Sequence, residues 1–326
     1  MAKQYRIAAV GCGGAGTQHA IGYSILEDVE IVGLCDIDEA KAHALAEKVG
    51  GRPFSDCQKM YDELEPDIVS VCTREYDHAE PTIAALQSGS HVLCEKIFAP
   101  NLDTAKKMVR QAEESGKKLG IDYNYRHIPS VAWLKRAIMS GRMGKPVLMN
   151  AFVHSYCMHH TLDLCRYLLG EVVEVTAMFH EDRKTLLYPW YEQDEILYAP
   201  TTNEGVCLRF ANGSLAVVSA TLHRGLDIMM DIHLVGTEAR ASLTKMSMEN
   251  MLGEMETFPT FENEDLTFPD VTERDFMKSF GWSIKAFVES LRAGLEPPTS
   301  GEDGVAMIKL EMAIVQSQHH GHCIRL

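Results

Sequence analysis

No stretch of the 326-residue chain approaches the ~18 consecutive apolar residues of a membrane-spanning helix. No secretory signal is expected either, because the apolar stretch Ile7–Val10 is too short for an h-region and runs straight into glycines. The nine cysteines contain no Cys-x-x-Cys pair: Cys12, Cys35, Cys57, Cys72, Cys94, Cys157, Cys165, Cys207 and Cys323 stand singly, several inside apolar runs such as IVGLCD, VSVCT and HVLCE. That usage argues against a disulfide frame and fits small buried thiols in a reducing cytoplasm. Basic residues are few, 31 Lys and Arg against 46 Asp and Glu, for a formal net charge of −15. A surface so negative repels phosphate backbones and anionic lipid, so neither nucleic acid nor membrane is expected as a partner. Internal repeats and low-complexity tracts are absent. What remains, 46% hydrophobic and 24% charged residues, is the composition of globular domains, and the length suits about two of them.

The first 120 residues alternate short apolar runs with helical patterns. RIAAV (6–10), EIVGLCD (30–36), DIVSVCT (67–73), SHVLCE (90–95) and KKLGIDYN (117–124) read as strands of a parallel sheet buried on both faces. AGTQHAIGYSIL, EAKAHALAEKV, HAEPTIAALQSG and LDTAKKMVRQAEESG read as the helices between them. Such alternation predicts right-handed crossovers and a doubly wound α/β sheet. Beyond helix PSVAWLKRAIMSG (129–141), the segments GKPVLMNAFVHSY, VVEVTAMFH, GVCLRFANGSLAVVSATL, DIMMDIHLVG and ARASL read as strands. HHTLDLCRYLLG and two segments near 275–293 and 302–318 read as helices, and Asn212-Gly213 is a hairpin signal. The expectation is a Rossmann domain over 1–123 and an α+β domain over 124–326 with a large, mostly antiparallel open sheet.

Gly11-Cys12-Gly13-Gly14-Ala15-Gly16 is a GxGxxG turn placed directly after a strand and opening a helix. Gly11 permits the tight turn, Gly13 the close approach of a pyrophosphate, and Gly16 the packing of helix on strand, with the anion on the helix N-terminus. Asp36, 20 residues after Gly16 at the end of the second strand, suits the adenosine ribose hydroxyls. The next residue is Ile37, with no Arg beside it for a 2′-phosphate, so NAD is expected rather than NADP. Glu95-Lys96 closes the strand HVLCEK, at the end of the sheet where ligands bind. There Lys96 can polarise or protonate a substrate oxygen, or simply pair with Glu95 at the surface.

These residues resemble the glucose–fructose oxidoreductase, inositol dehydrogenase and rhizopine-catabolism group, written Gfo/Idh/MocA. The resemblance runs through GCGGAG, VCTREYDH (71–78), GSHVLCEKIFAP (89–100), DYNYRHIP (122–129), GRMGKPV (141–147), HHTLDLCRYLLG (159–170) and LRFANGS (208–214). It implies NAD(P)-linked chemistry on a sugar or cyclitol and a homodimer or homotetramer assembled through the C-terminal sheet. By this resemblance Lys96 and His160 are the catalytic residues. Gly11, Gly13, Gly14, Ala15, Gly16, Asp36, Thr73, Arg74, His78, Glu95 and Lys96 hold the cofactor, and Asn124, Arg126, Tyr156, His159 and Asp163 hold the substrate.

Three positions depart from the family pattern. Ile97 stands at the proline after the lysine, Arg74-Glu75 at the usual Pro-Asn, and Tyr156 at the aspartate four residues before the histidine. The segment leading to that histidine is also short. Tyr156 leaves open an NAD-recycling glycoside hydrolase and a non-catalytic sugar sensor as alternatives. His154, His159, His160 and Asp163 have chelating spacing, yet the resemblance gives the histidine acid–base or substrate work, so no metal is expected. The aromatic run Leu187–Tyr191 could stack on a sugar ring, and the methionines at 229–255 read as core. His319, His320 and His322 read as a polar helix end with no role.

Overall fold

The computed structural model describes residues 4–179, 203–221, 230–243, 247–250, 255–257 and 275–326, with backbone alone at Tyr156, 247–250, 255–257 and 275–277. The aromatic run at 187–191 and several of the methionines lie outside the described residues. The chain divides into two compact units.

The first unit is built on β1 (Tyr5–Val10), α1 (Gly14–Ser24), β2 (Val29–Cys35), α2 (Glu39–Val49), β3 (Arg52–Phe54), α3 (Cys57–Leu64), β4 (Ile68–Val71), α4 (Ala79–Gln87), β5 (His91–Cys94), α5 (Leu102–Ser115) and β6 (Leu119–Ile121). Continuous apolar runs make the central strands: all four residues of β4 are buried, as a parallel strand covered by helices on both faces requires. Three of the helices, α2, α3 and α5, start where a side chain accepts an otherwise unpaired backbone N–H. Asp38 accepts from Ala40, Asp56 from Lys59 and Asn101 from Thr104. The six strands pair in parallel in the order β3-β2-β1-β4-β5-β6. The chain therefore moves outward from β1 to β3, returns to the other side of β1, and moves outward again. At that reversal the connections leave the carboxyl ends of β1 and β4 in opposite directions and open a crevice.

The second unit carries α6 (Pro129–Met139), β7 (Pro146–His154), α7 (Met158–Leu169), β8 (Val172–Phe179), β9 (Asn203–Phe210), β10 (Leu215–Thr221), β11 (Met230–Gly236), β12 (Ala239–Ser242), β13 (Ser247–Asn250) and β14 (Met255–Thr257). With β15 (Ile324–Arg325) the strands form a nine-stranded sheet of order β14-β13-β12-β11-β7-β10-β9-β8-β15. Every pair is antiparallel except β7 with β10. β9 and β10 form the hairpin that Asn212-Gly213 announces: Gly213 takes φ +87°, and the Asn212 carboxamide oxygen accepts the Ser214 N–H at 2.9 Å. Met149, Ala151, Val153, Val218, Ile232 and Leu234 are buried on one face, while Phe152, Val217 and Val235 are exposed on the other. This is the alternation of a sheet covered on one side only.

Two further helices, α8 (Asp275–Arg292) and α9 (Gly301–His320), complete the chain. α8 belongs to the first unit, where Ile284, Phe287 and Val288 join Tyr5, Ile7, Tyr23, Ile68 and Leu93 in one core cluster. The contact boundary therefore differs from a division drawn along the sequence at residue 123. From Lys309 onward the chain belongs to the second unit.

Candidate active site

The glycine turn has the geometry of an anion cradle. Gly11 sits at φ +90°, and a Cβ on it would lie 2.4 Å from the Cys72 carbonyl oxygen; one on Gly16 would lie 1.8 Å from the Gly11 carbonyl oxygen. Neither position tolerates a side chain. Gly13 and Gly14 differ: both are exposed, and a Cβ on either would meet nothing within 4 Å. The open space lies at the first turn of α1, which has no acidic residue and no side-chain cap, so its backbone N–H groups and helix dipole face outward toward an anion. Asp36 stands beside it, half-buried, its two oxygens accepting the backbone N–H groups of Cys12 at 2.7 Å and Asp38 at 2.9 Å. These bonds aim the carboxylate while leaving acceptor capacity for hydroxyl donors. Ile37 is 92% exposed next to it. The pyrophosphate and ribose of a dinucleotide fit this set.

Thr73 follows β4, with its hydroxyl 2.9 Å from His78 Nδ1. Burial pushes the His78 pKa down to about 4, so the ring is neutral. Arg74 reaches outward to Asp77 at 3.0 Å, both well exposed. Lys96 follows β5, half-buried, and its peptide bond to the buried Ile97 is cis.

Glu95 is not a surface partner for Lys96. It is buried; Oε2 accepts the Lys96 backbone N–H at 3.0 Å and Oε1 lies 3.1 Å from His19 Nε2. His19, on α1 and fully buried, also reaches Asp122 Oδ2 at 3.0 Å through Nε2 and Ser70 Oγ at 2.9 Å through Nδ1. Ser283 donates to the other Asp122 oxygen. Burial alone would lower the His19 pKa; Cys72, Asp122 and Glu95 more than offset it and hold the imidazole well above its ordinary range. Burial likewise works to raise Glu95, but the bond and charge of His19 bring it below the usual carboxylate range, whereas burial dominates at Asp122 and raises it. Among the described residues this is the group whose ligating atoms lie within 4.8 Å of one another. Its Nε2 is already engaged by two carboxylates, so it is read as an imidazolium holding two acids together rather than a metal centre. Replacing His19 by leucine strands two buried carboxylates, and a loss of about 3–5 kcal/mol is expected. Urea unfolding of the variant checks this, and a midpoint equal to wild type would contradict it.

The remaining candidates fall as follows. Asn124 is buried and neither amide atom has a hydrogen-bond partner within the protein; a buried amide so placed requires water or a ligand. Arg126 forms a bidentate ion pair with Asp163, Nε to Oδ2 at 2.7 Å, both buried. The two residues read separately as substrate groups are thus partners of each other. His159 binds Glu311 through Nδ1 at 2.7 Å, again buried. His160, on α7, stacks on Tyr125 with ring centroids 3.9 Å apart. Tyr156 lies in the turn Ser155–Cys157 before α7, and its side chain is outside the described residues. Sequence reading missed His19, Asp122 and Glu311. A single histidine eight residues after Gly11 carries no spacing signal, and its carboxylate partners are distant in the chain.

A six-stranded parallel sheet of order 3-2-1-4-5-6, a GxGxxG turn on its first strand and a carboxylate ending its second define a dinucleotide-binding protein. The chain belongs to the oxidoreductase family Gfo/Idh/MocA: the model of its NAD-binding Rossmann fold matches residues 5–123, and that of its C-terminal alpha/beta domain matches residues 135–326. It is an enzyme of that oxidoreductase family, and its cofactor is NAD. A myo-inositol 2-dehydrogenase of Thermotoga maritima is 25% identical over 98% of both chains. A scyllo-inositol 2-dehydrogenase (NAD(+)) of Bacillus subtilis is 24% identical over 100% of this chain and 97% of its own. Among solved structures, a levoglucosan dehydrogenase in complex with NADH and L-sorbose shares the fold with a TM-score of 0.84, at 20% identity over 98% of both chains.

Proposed function

We propose that this enzyme transfers hydride between NAD and a secondary alcohol or ketone of a sugar, sugar derivative or cyclitol. The observation that carries the reading is the open cradle at Gly13 and Gly14 beside Asp36, at the same carboxyl end of the sheet from which Lys96 extends. The names of the related inositol and sugar dehydrogenases supply the substrate class. Gly11 to Gly16 and Asp36 hold the pyrophosphate and ribose; Thr73, Arg74 and His78 line the loop that packs on Gly11. NAD, when bound, supplies the hydride acceptor. Lys96 takes the hydroxyl proton during oxidation and returns it during reduction, while His160 orients the oxygen, or the two exchange these roles. Glu95 serves the reaction through the Lys96 backbone. Asn124, Arg126, Tyr156, His159 and Asp163 shape the substrate side, Arg126 and Asp163 as one unit. The dehydrogenase names among the relatives favour this reading over NAD-recycling glycoside hydrolysis, and the presence of both Lys96 and His160 favours it over a sensor.

The exposed sheet face with Phe152, Met178, Leu215, Val217 and Val235 suits a homodimer or homotetramer. No described helix is long and apolar enough to cross a membrane. Nine cysteines held as thiols rather than disulfides support a cytoplasmic location.

The test is a panel of inositols, aldoses, sugar acids and aryl glycosides incubated with protein and NAD, following NADH absorbance and aglycone release together. NADH formation with one polyol class supports the reading; aglycone release without NADH overturns it. Asp36 and Ile37 set the choice of dinucleotide. Pairing Asp36→Ser with Ile37→Arg removes charged hydrogen bonds to the ribose and adds a phosphate partner. NAD affinity should fall about 10- to 100-fold while NADP binding improves. Fluorescence titration with NADH and NADPH decides, and tight NADPH binding by the unaltered protein would refute the assignment.

A further inference from the structure

We propose that the C-terminal end of α9 carries a site for a divalent transition metal of the zinc class, built from His319, His320 and His322 with the Cys323 thiol as fourth ligand. The sequence HHGHC offers three imidazoles and a thiol within five residues, all exposed, and the dehydrogenase chemistry uses none of them.

Three observations support the site. First, the three rings stand side by side on one exposed surface: His319 and His320 meet edge-on with centroids 5.1 Å apart, and His320 and His322 are 5.5 Å apart with nearly parallel planes, so rotation of the rings brings them onto a shared ion. Second, His322 Nδ1 lies 3.0 Å from the Cys323 carbonyl oxygen. That oxygen can only accept, so Nδ1 carries the proton and the Nε2 lone pair is left for an ion. A ring N–H given to a carbonyl is the arrangement that orients metal-bound histidines. Third, the backbone at this point is anchored. The Ser317 hydroxyl donates to the His322 carbonyl at 2.7 Å and accepts the Ala177 N–H at 3.0 Å, while β15 pairs with β8 just beyond. Gly321 turns the chain at φ +68°, bringing His322 back toward the last helical turn, where the helix dipole favours a cation.

The donor atoms of these four residues do not converge within 4.8 Å, so capture of an ion requires side-chain rotation, which exposed rings make at little cost. An ion held there links the end of α9 to the edge strand β15.

The experiment uses the full chain without a histidine tag, stripped by chelator, and titrated with zinc by calorimetry and with cobalt(II) by visible absorption. One zinc per chain is expected with micromolar or tighter affinity, a tetrahedral cobalt spectrum with thiolate charge transfer, and a melting temperature that rises with zinc. His322→Gln should weaken binding at least about tenfold. His320→Ala with His322→Ala should abolish binding and the thermal shift, and Cys323→Ser should remove the charge-transfer band. NADH binding by each variant verifies the fold. An adventitious ion only, seen as millimolar affinity, a six-coordinate cobalt spectrum, or zinc binding that survives the double substitution, overturns the site. Because the readouts are metal binding and melting, the result is independent of whether the substrate reading above stands.

Discussion

Replacing Lys96 by methionine is expected to lower turnover by about 10²–10⁴-fold while leaving NADH affinity within about twofold. Methionine keeps the length and apolar stem of lysine and removes only the ammonium group. The Glu95–His19–Asp122 network keeps its hydrogen bonds without the Lys96 amine, because Glu95 bonds the Lys96 backbone N–H; the ammonium charge contributes only to lowering the Glu95 pKa, after His19. The cradle at Gly13 and Gly14 lies on the turn after β1, separated from β5 by β4, and is unaltered. A loss confined to kcat therefore assigns Lys96 to proton handling, whereas a loss of NADH binding of the same size assigns it to cofactor attachment. Steady-state kinetics on whichever polyol is turned over, paired with NADH fluorescence titration, separates the two. Unchanged turnover in the variant contradicts the proposed role.

Acid should unfold the protein well above the carboxylate range. Burial brings His78 and His127 each from 6.5 to about 4, with Arg126 adding to the effect at His127. The unfolded chain binds protons at both histidines as pH drops below about 6.5, and the folded chain resists until about pH 4, so stability falls as pH falls through that window. A shift of this size corresponds to roughly 3 kcal/mol for the fully buried His78, and to less for His127, which the fold leaves partly exposed. That is a large part of the about 5–15 kcal/mol by which native proteins are stable. His19 acts in the opposite sense. Its pKa is raised in the folded chain, so its stabilisation is complete below about 6.5 and is lost as pH rises through its folded value. Together the three rings place the stability maximum near pH 6.5. Urea midpoints measured from pH 8 to pH 4 should peak there and drop steeply on the acid side; a flat profile between pH 6.5 and 4.5 contradicts a neutral His78 and His127 in the folded chain.

Features written in consecutive residues were legible before the structure. The apolar run of β4, the glycine turn with Asp36, and Asn212-Gly213 each form locally and announced their elements. β3 was not legible, because Arg52-Pro53-Phe54 is a three-residue edge strand with neither alternation nor an apolar run. The return of α8 to the first unit was hidden because Ile284 and Phe287 join Tyr5 and Ile7 across most of the chain length. The same distance concealed the ion pairs. Arg126 and Asp163 each looked like a group aimed at substrate, and only the fold shows that they neutralise one another. Glu95 reads in sequence as a cofactor residue or an exposed partner of Lys96, and the fold turns it inward to His19. The chemistry-bearing residue types were visible in sequence; which of them satisfy each other was not.

The most direct test of the account is hydride transfer itself. A polyol that reduces NAD in the panel is prepared with deuterium on the reacting carbinol carbon and incubated with the protein and NAD. The account predicts one deuterium on C4 of each NADH formed, with the ketone as co-product in equal amount. Deuterium released to solvent, or bond cleavage with no net NADH, would contradict it.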